Sequence, residues 1–320
     1  MSTSSTAPEP LVSKAVLYAG HGGPEVVLVG ERPVRAPGPG EVRIKVVAAA
    51  INPTDILMRD IGYGAPQPAT PGMDAAGIIE ATGEGVTHIS VGDEVMAALS
   101  PVRPEGGAQQ SYIVVPAASV VRKPHGISLA EAATVPMNGL TALYALDHAG
   151  LTSGMTFAVT GGAGWLAYQA IVIAKQHGLR VIADAKAEEI DLVRGYGADI
   201  VVERGTGFAE AMRREVPDGV DALLDTALLA EKTFPAIKDG GIYIPVRGAI
   251  DVPSERGIQV RPVLVYEVLD RTDWLEALRD DVDAGLIVPK VAAEYAVDKI
   301  GEAHRFLESG GVRGRPVLVF

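Results

Sequence analysis

From residue 156 onward the chain alternates short apolar runs with helix-patterned segments, and no other feature restricts its fold as tightly. "TFAVTG" reads as a short buried strand, a glycine turn follows, and Leu166, Ala167, Ala170, Ile171 and Ala174 then form one helical stripe. "LRVIAD" is the next strand, "EEIDLVRGYG" the next helix and "ADIVVE" the strand after it. "VDALLDT", "GGIYIPV" and "RPVLVYEV" continue the strands. A helix between two strands carries the chain back to the edge from which it left, so the pattern predicts an α/β, Rossmann-type, doubly wound parallel sheet.

The first 130 residues have another texture. "EVRIKVVAAAI", "AAGIIEATG", "GDEVMAAL" and "SYIVVP" are β-rich runs between close Gly and Pro turns, which predicts an antiparallel or barrel-like module. Ser128 and Glu131 form the sequence of a capping box, and an Ala-rich run extends to Tyr144, so a helix and a second domain are expected to start there. A long helix is expected near 272, and the final "RPVLVF" reads as a strand returning to the first module. The expected division is a loose tail over 1–10, a β-rich domain from 11–130 and 266–320, and the doubly wound domain over 131–265.

Composition narrows the partners. A net charge of −12 repels nucleic-acid phosphates and anionic lipid, and no basic patch offsets it. The chain has no cysteine, so disulfides and thiolate zinc sites are excluded, and its six histidines show no pair at helical ligand spacing. Residues 1–9 lack the basic start and apolar run of a signal peptide, and the apolar run over 165–174 is too short to span a bilayer. A cytoplasmic protein acting on a small molecule is expected, without nucleic-acid or membrane partners.

Gly162, Ala163, Gly164, Trp165, Leu166 and Ala167 match G-x-G-x-x-G/A between a strand and a helix. In such a loop Gly162 serves the tight turn, Gly164 lets the backbone approach a pyrophosphate, and Ala167 keeps the helix against the sheet. Thr160 precedes the turn, and the helix N-terminus offers N–H groups to phosphate. Trp165 stands at a position where the motif sets no size limit, although an indole there could also plug the loop. Asp184 ends the second strand 20 residues after Gly164, the spacing of an acid that takes the ribose 2′-OH of NAD. Lys186 beside it is the kind of cation that takes the 2′-phosphate of NADP, or is a solvated surface lysine. The two residues argue in opposite directions.

Several ordered segments together carry a resemblance. Asn52, Pro53, Thr54 and Asp55, then "PGMDAAGIIEATGEGVTHISVGDEV", "GGAQQSYIVVPAASVV", "SLAEAATVPMNGLTALYAL" and the glycine loop resemble the medium-chain dehydrogenase/reductase superfamily, specifically its zinc-free quinone oxidoreductase and enoyl reductase branch. The resemblance implies a GroES-like domain completed by the C-terminus, a nicotinamide dinucleotide in the Rossmann-type domain with NADP(H) ahead of NAD(H), and a homodimer in which "RPVLVYEV" would be the sheet edge. Zinc-dependent relatives place Cys near Asn52 and a His-Glu pair where this chain has Met73 and Asp74, so no catalytic metal is implied. Departures are Trp165 in place of a small residue, Ala167 in place of Gly, and Ile190 and Glu203 near the places of the basic or Tyr contacts of relatives.

By that resemblance the reaction is hydride transfer to a quinone or to the C=C bond of an α,β-unsaturated carbonyl. Asn52, Asp55 and Tyr63 match the Asn, Asp and Tyr near the reacting atoms of similar enzymes, as donor amide, carboxyl and proton source. Each has a structural counterpart: a turn at Asn52, a helix N-terminus or ion pair at Asp55, surface cover at Tyr63. Asn138 and Thr141 on the following helix either face the nicotinamide or only pack. A second class stays open, a non-redox protein on this scaffold that binds the dinucleotide as a sensor or partner, or a cyclase or lyase without net hydride transfer.

Overall fold

Alternation of apolar and polar residues makes strands of the N-terminal third, as in Glu41–Ala50, where Val42, Ile44 and Val46 are buried while Lys45 faces out. The computed structural model describes residues 11–62, 65–205, 207–247 and 255–320. In chain order it begins with β1 (Val12–Tyr18), β2 (Val27–Pro33), β3 (Glu41–Ala50) and α1 (Pro53–Ile61). Then come β4 (Asp74–Thr82), β5 (Glu94–Ala98), β6 (Tyr112–Pro116), β7 (Val120–Arg122), α2 (Leu129–Ala132) and α3 (Pro136–Ala149). The alternating segment contributes β8 (Thr156–Val159), α4 (Trp165–Gln176), β9 (Arg180–Ala185), α5 (Ile190–Gly195), β10 (Ile200–Glu203) and α6 (Phe208–Glu215). It continues with β11 (Val220–Asp225), β12 (Ile237–Pro245), β13 (Gln259–Val260) and α7 (Thr272–Asp283). The chain closes with β14 (Val291–Ala296), α8 (Ile300–Glu308) and β15 (Arg315–Val319).

These elements form two units. The first holds the described residues up to Thr134 with Val291–Gly310 and Arg315–Phe320; the second holds Val135–Lys290 and Gly311–Gly314. In the first, a mixed sheet runs β14-β15-β3-β4-β5-β7, with β6 also on β3 and β1-β2 as a separate hairpin. Its core is aliphatic, built on Val42, Ile44, Ile79, Val95 and Ile113. The last strand does return to this module, with Val317–Val319 antiparallel to β3.

The second unit is the parallel sheet expected from the alternation, in the order β10-β9-β8-β11-β12-β13. α4 lays Ala167, Ala170, Ile171 and Ala174 inward, and the three alanines bring the helix close to β8 and β9.

Three local expectations differ from the structure. The Ser128 capping box is present, with Ser128 Oγ accepting from Glu131 N–H at 3.2 Å, yet it caps only the four-residue α2. Pro136 lacks an N–H and starts α3 anew at the first helical position, where that loss costs nothing. Residues 266–290, expected in the first domain, fall in the second, because α7 packs on α3; a Cβ on Gly139 would stand 2.5 Å from Leu278. "RPVLVYEV" is not a regular strand: β13 ends at Val260, Pro262 has no donor for a ladder, and Val265–Val268 is a 3₁₀ turn.

Candidate functional site

The order of the second sheet reverses between β8 and β11, and in such sheets ligands bind beyond the carboxyl ends of the strands at that reversal. Two loops stand there, residues 160–164 after β8 and residues 226–230 after β11. They are tied together. Thr160 Oγ donates to Asp225 Oδ1 at 2.7 Å and accepts from Ala227 N–H at 3.0 Å, while Thr226 Oγ donates to the Thr160 carbonyl at 2.6 Å. Asp225 is fully buried and also accepts from Tyr243 Oη and Ala230 N–H, both at 2.9 Å. Burial, with the Asp225 charge beside it, drives the Tyr243 phenol upward and keeps it a donor.

Within the glycine loop the tasks are distributed differently from the motif reading. The left-handed turn is at Gly161, with φ of 70°, a residue ahead of the G-x-G frame. Gly162 permits close approach to β9: a Cβ there would lie 2.6 Å from the Asp184 carbonyl oxygen. Gly164 is the N-cap of α4 in extended conformation, and a Cβ on it would meet only the Gly161 carbonyl oxygen within 4 Å. The first intrahelical bond runs from Tyr168 N–H to Gly164 O, so the turn ahead of it directs its N–H groups out of the helix end. This is a cradle that suits a pyrophosphate. Ala163 and Trp165 are buried, and Leu166 is half-buried. The Trp165 indole stacks on Tyr168, ring centroids 5.2 Å apart, and Tyr168 in turn meets Tyr196 edge-on at 4.6 Å. Trp165 is therefore part of an aromatic row along the second unit.

Asp184 is fully buried. Its Oδ1 accepts from Gly161 N–H at 2.5 Å and its Oδ2 from Arg204 Nε at 2.6 Å. The carboxylate expected to meet a ribose is thus engaged in holding the glycine loop. Arg204 is not marked in the sequence; the fold brings it here, because β10 runs in register with β9, Val202 opposite Asp184, so the residue after β10 emerges beside that carboxylate. Lys186 is exposed. On α3, Asn138 and Thr141 are buried, and the Thr141 hydroxyl donates back to the Met137 carbonyl at 2.7 Å.

The first unit gathers Asn52 and Asp55 into a buried polar knot. Asn52 is the N-cap of α1 and Asp55 its third residue; Asp55 Oδ2 accepts from Asn52 N–H at 2.7 Å and Oδ1 from Gly72 N–H at 2.9 Å. Burial, aided by the nearby Asp74 charge and opposed by those two N–H bonds, pushes the Asp55 carboxyl up to about 7. The Asn52 amide donates through Nδ2 to Asp74 Oδ2 at 2.7 Å and accepts at Oδ1 from Arg315 Nε at 2.6 Å. Asn52 and Asp74 are fully buried and Arg315 nearly so. Tyr63 lies outside the described residues.

Behind the knot, Arg59 donates through Nη1 to His304 Nδ1 at 3.2 Å. A guanidinium only donates, so Nδ1 is the acceptor and the ring is neutral with its hydrogen on Nε2. That hydrogen faces the Tyr18 phenol at 3.5 Å, and Tyr18 donates to the Asp55 carbonyl at 3.1 Å. Burial and the Arg59 charge push His304 down to about 3.

A zinc ion does not fit this place. The positions where zinc-dependent relatives keep their ligands hold an amide and a thioether, and the nearby carboxylate of Asp74 is bonded to that amide. The guanidinium of Arg315 brings a fixed positive charge against Asn52. Among the described residues no group of three or more His, Cys, Asp or Glu is placed to hold a metal, and no helix is long and apolar enough to cross a membrane.

Two family descriptions match the chain, the alcohol dehydrogenase GroES-like domain over residues 38–125 and the zinc-binding dehydrogenase over residues 196–318. The chain is similar to a 2-methylene-furan-3-one reductase of Solanum lycopersicum, with 30% identity over 329 aligned positions, 99% of this chain and 81% of the relative. It is similar to a quinone oxidoreductase of Homo sapiens at 26% identity, covering 96% of this chain and 97% of that protein. Among solved structures, a mycobacterial protein complexed with NADPH superposes with a TM-score of 0.83 at 27% identity, over 96% of this chain and 100% of that one. Those likenesses, together with the parallel sheet, the glycine loop and the GroES-like module, place the chain in the zinc-free quinone oxidoreductase and enoyl reductase branch of the medium-chain dehydrogenase/reductase superfamily, as a nicotinamide-dependent reductase.

Proposed function

We propose that the protein reduces quinones or C=C bonds conjugated to a carbonyl, with NADPH as the preferred donor and without zinc. The observation that carries this is the cross-tied pair of loops at the sheet reversal, which leaves Gly164 and the N-terminus of α4 facing outward as a pyrophosphate cradle. When bound, the reduced nicotinamide supplies a hydride to the electron-poor carbon. The chain's residues bind, orient and protonate. Gly162, Ala163, Gly164 and the first turn of α4, with Trp165 and Leu166, hold the phosphates, and Thr160 fixes the loop behind them. Asn138 and Thr141 belong to the same proposal as residues of the cofactor's nicotinamide side.

The preference for NADP(H) is supported by the state of Asp184. Its charge is buried and shared with Arg204, while Lys186 stands exposed two residues on. An acid so engaged is a weaker ribose ligand and repels a 2′-phosphate less, and the cations remain.

On the substrate side, charge that grows on the carbonyl oxygen needs a donor and the α-carbon needs a proton. Tyr63 is proposed for the proton. Asn52 and Asp55, bonded as they are to Asp74, Arg315 and backbone N–H groups, are proposed to hold that side in place. A cytoplasmic homodimer belongs to this proposal; β13 is an edge strand of the six-stranded sheet and offers the surface for a second copy.

The test is NADPH and NADH consumption followed by absorbance, with an enone panel and a quinone panel. Saturable consumption with NADPH, at least tenfold more efficient than with NADH, is expected. Tight dinucleotide binding with no consumption by any member of either panel would overturn the redox assignment.

A further inference from the structure

The loop after β11 carries two strained residues. Leu228 has φ of 58° and Ala230 φ of 51°, the left-handed region that side chains with a Cβ rarely occupy. The strain is maintained from both ends. Ala227 N–H is held by Thr160, and Ala230 N–H by the buried Asp225. Between these anchors Leu228 is 47% exposed, an aliphatic side chain turned outward beside the glycine loop at the sheet reversal. A glycine would relieve the backbone, and a polar residue would suit the exposure. Leucine satisfies neither.

Strained residues persist where surrounding structure over-determines them, and they gather at ligand clamps. The dinucleotide crosses such a sheet with its adenosine half over the strand that ends in the acid, here β9, so its nicotinamide half lies on the β11 side. We infer that Leu228 is a positioning residue for the nicotinamide half: its side chain is held out by the strained turn and is covered by the bound mononucleotide. This rests on the proposal above that the loops bind a dinucleotide.

The experiment compares wild type with Leu228→Ala, Leu228→Gly and Leu228→Met. It uses two probes, NADPH and adenosine 2′,5′-diphosphate, which carries only the adenosine half. Thermal melts of the free proteins run alongside. Covering the exposed half of a leucine predicts NADPH binding about five- to tenfold weaker in the Ala and Gly variants, near-normal binding in Met, and unchanged binding of the diphosphate in all three. NADPH binding within twofold of wild type in the Ala and Gly variants would overturn the inference and leave the dinucleotide proposal standing. Equal losses for both probes would also overturn it, since they would mean a collapsed loop. Failure of the wild type to bind either probe would overturn both proposals together.

Discussion

Asp184 offers a sharp separation between two roles for one carboxylate. In the structure it receives Gly161 N–H at 2.5 Å and Arg204 Nε at 2.6 Å, with no exposed surface. Replacing it with Ala leaves the Gly161 N–H without its acceptor, a loss of about 1–3 kcal/mol. The ion pair adds less, about 0–1 kcal/mol, because the Arg204 side chain is 36% exposed and water replaces much of what it loses. Asp184→Ala should therefore cost about 1–4 kcal/mol in urea unfolding and loosen the glycine loop. Asp184→Asn keeps an oxygen for Gly161 and removes only the charge, so about 1 kcal/mol is expected. Its NADH and NADPH dissociation constants should both stay within about threefold of wild type. A carboxylate that bonded the ribose directly would behave otherwise: loss of one charged hydrogen bond, about 1.5–3 kcal/mol, would weaken NADH by about 10- to 150-fold. A folded Asp184→Asn protein with NADH binding weakened tenfold or more, and NADPH binding not, would refute the anchoring role.

Trp165→Phe removes part of a buried aromatic row and should cost about 1–2 kcal/mol in urea unfolding while leaving NADPH affinity within about twofold; a gain in affinity of tenfold would show that the indole obstructs the loop. Asn52→Ala strips one partner each from Asp74 and Arg315 in a buried setting, so a loss of about 2–4 kcal/mol is expected, and a melting temperature unchanged from wild type would contradict the knot. Asp55 and His304 should pull stability in opposite directions with pH. The Asp55 carboxyl is raised to about 7, so its contribution is complete below about 4 and is lost as pH rises through 7. His304 is depressed to about 3, so its contribution is complete above about 6.5 and is lost as pH falls toward 3. Each limb spans about 4–5 kcal/mol. Urea midpoints between pH 4.5 and 7.5 should thus fall with pH in His304→Gln and rise in Asp55→Asn; parallel profiles for the two variants would sink the assignment.

The short apolar runs and the period-3.6 stripes after residue 156 were enough to find the parallel sheet up to β12, because its central strands β8 and β9 are almost wholly apolar and the helix between them has its own stripe. The break between α2 and α3 was missed because the run from Ser128 is helix-forming on both sides of Pro136, and proline is equally at home opening a helix and ending one. Residues 261–268 deceived by composition: valines and a leucine suggest a strand, while Pro262 and the turn over Val265–Val268 decide otherwise. In the site, the glycine loop was legible because a tight strand-to-helix turn packed against β9 demands small residues at fixed spacing. Arg204, Asp225 and Arg315 were not, since their partners lie 20, 65 and 263 positions away and only the fold brings them close. Tyr18, Arg59 and His304 were hidden for the same reason.

Three carboxylates share a way of working that spacing does not reveal. Asp55 accepts from the backbone of Asn52 and Gly72, Asp184 from Gly161, and Asp225 from Ala230. Each is buried, and each holds an irregular segment whose own N–H would otherwise lack a partner. A charged acceptor suits this task because its bond to an N–H is about twice as strong as a neutral one and its second oxygen can hold something else. Asp55 spends that oxygen on a second N–H, Asp184 on Arg204 and Asp225 on Tyr243. The consequence reaches function. An acid at the end of β9 has the position of a ribose ligand, yet one of its oxygens is engaged by the loop that would bind the phosphates and the other by Arg204. On the proposed function, preference between dinucleotides would then pass to the exposed cation at Lys186 and to Arg204, which gives only its Nε to Asp184. What an acidic residue recognises depends on what the fold has already asked of its oxygens, and here both are engaged before any ligand arrives.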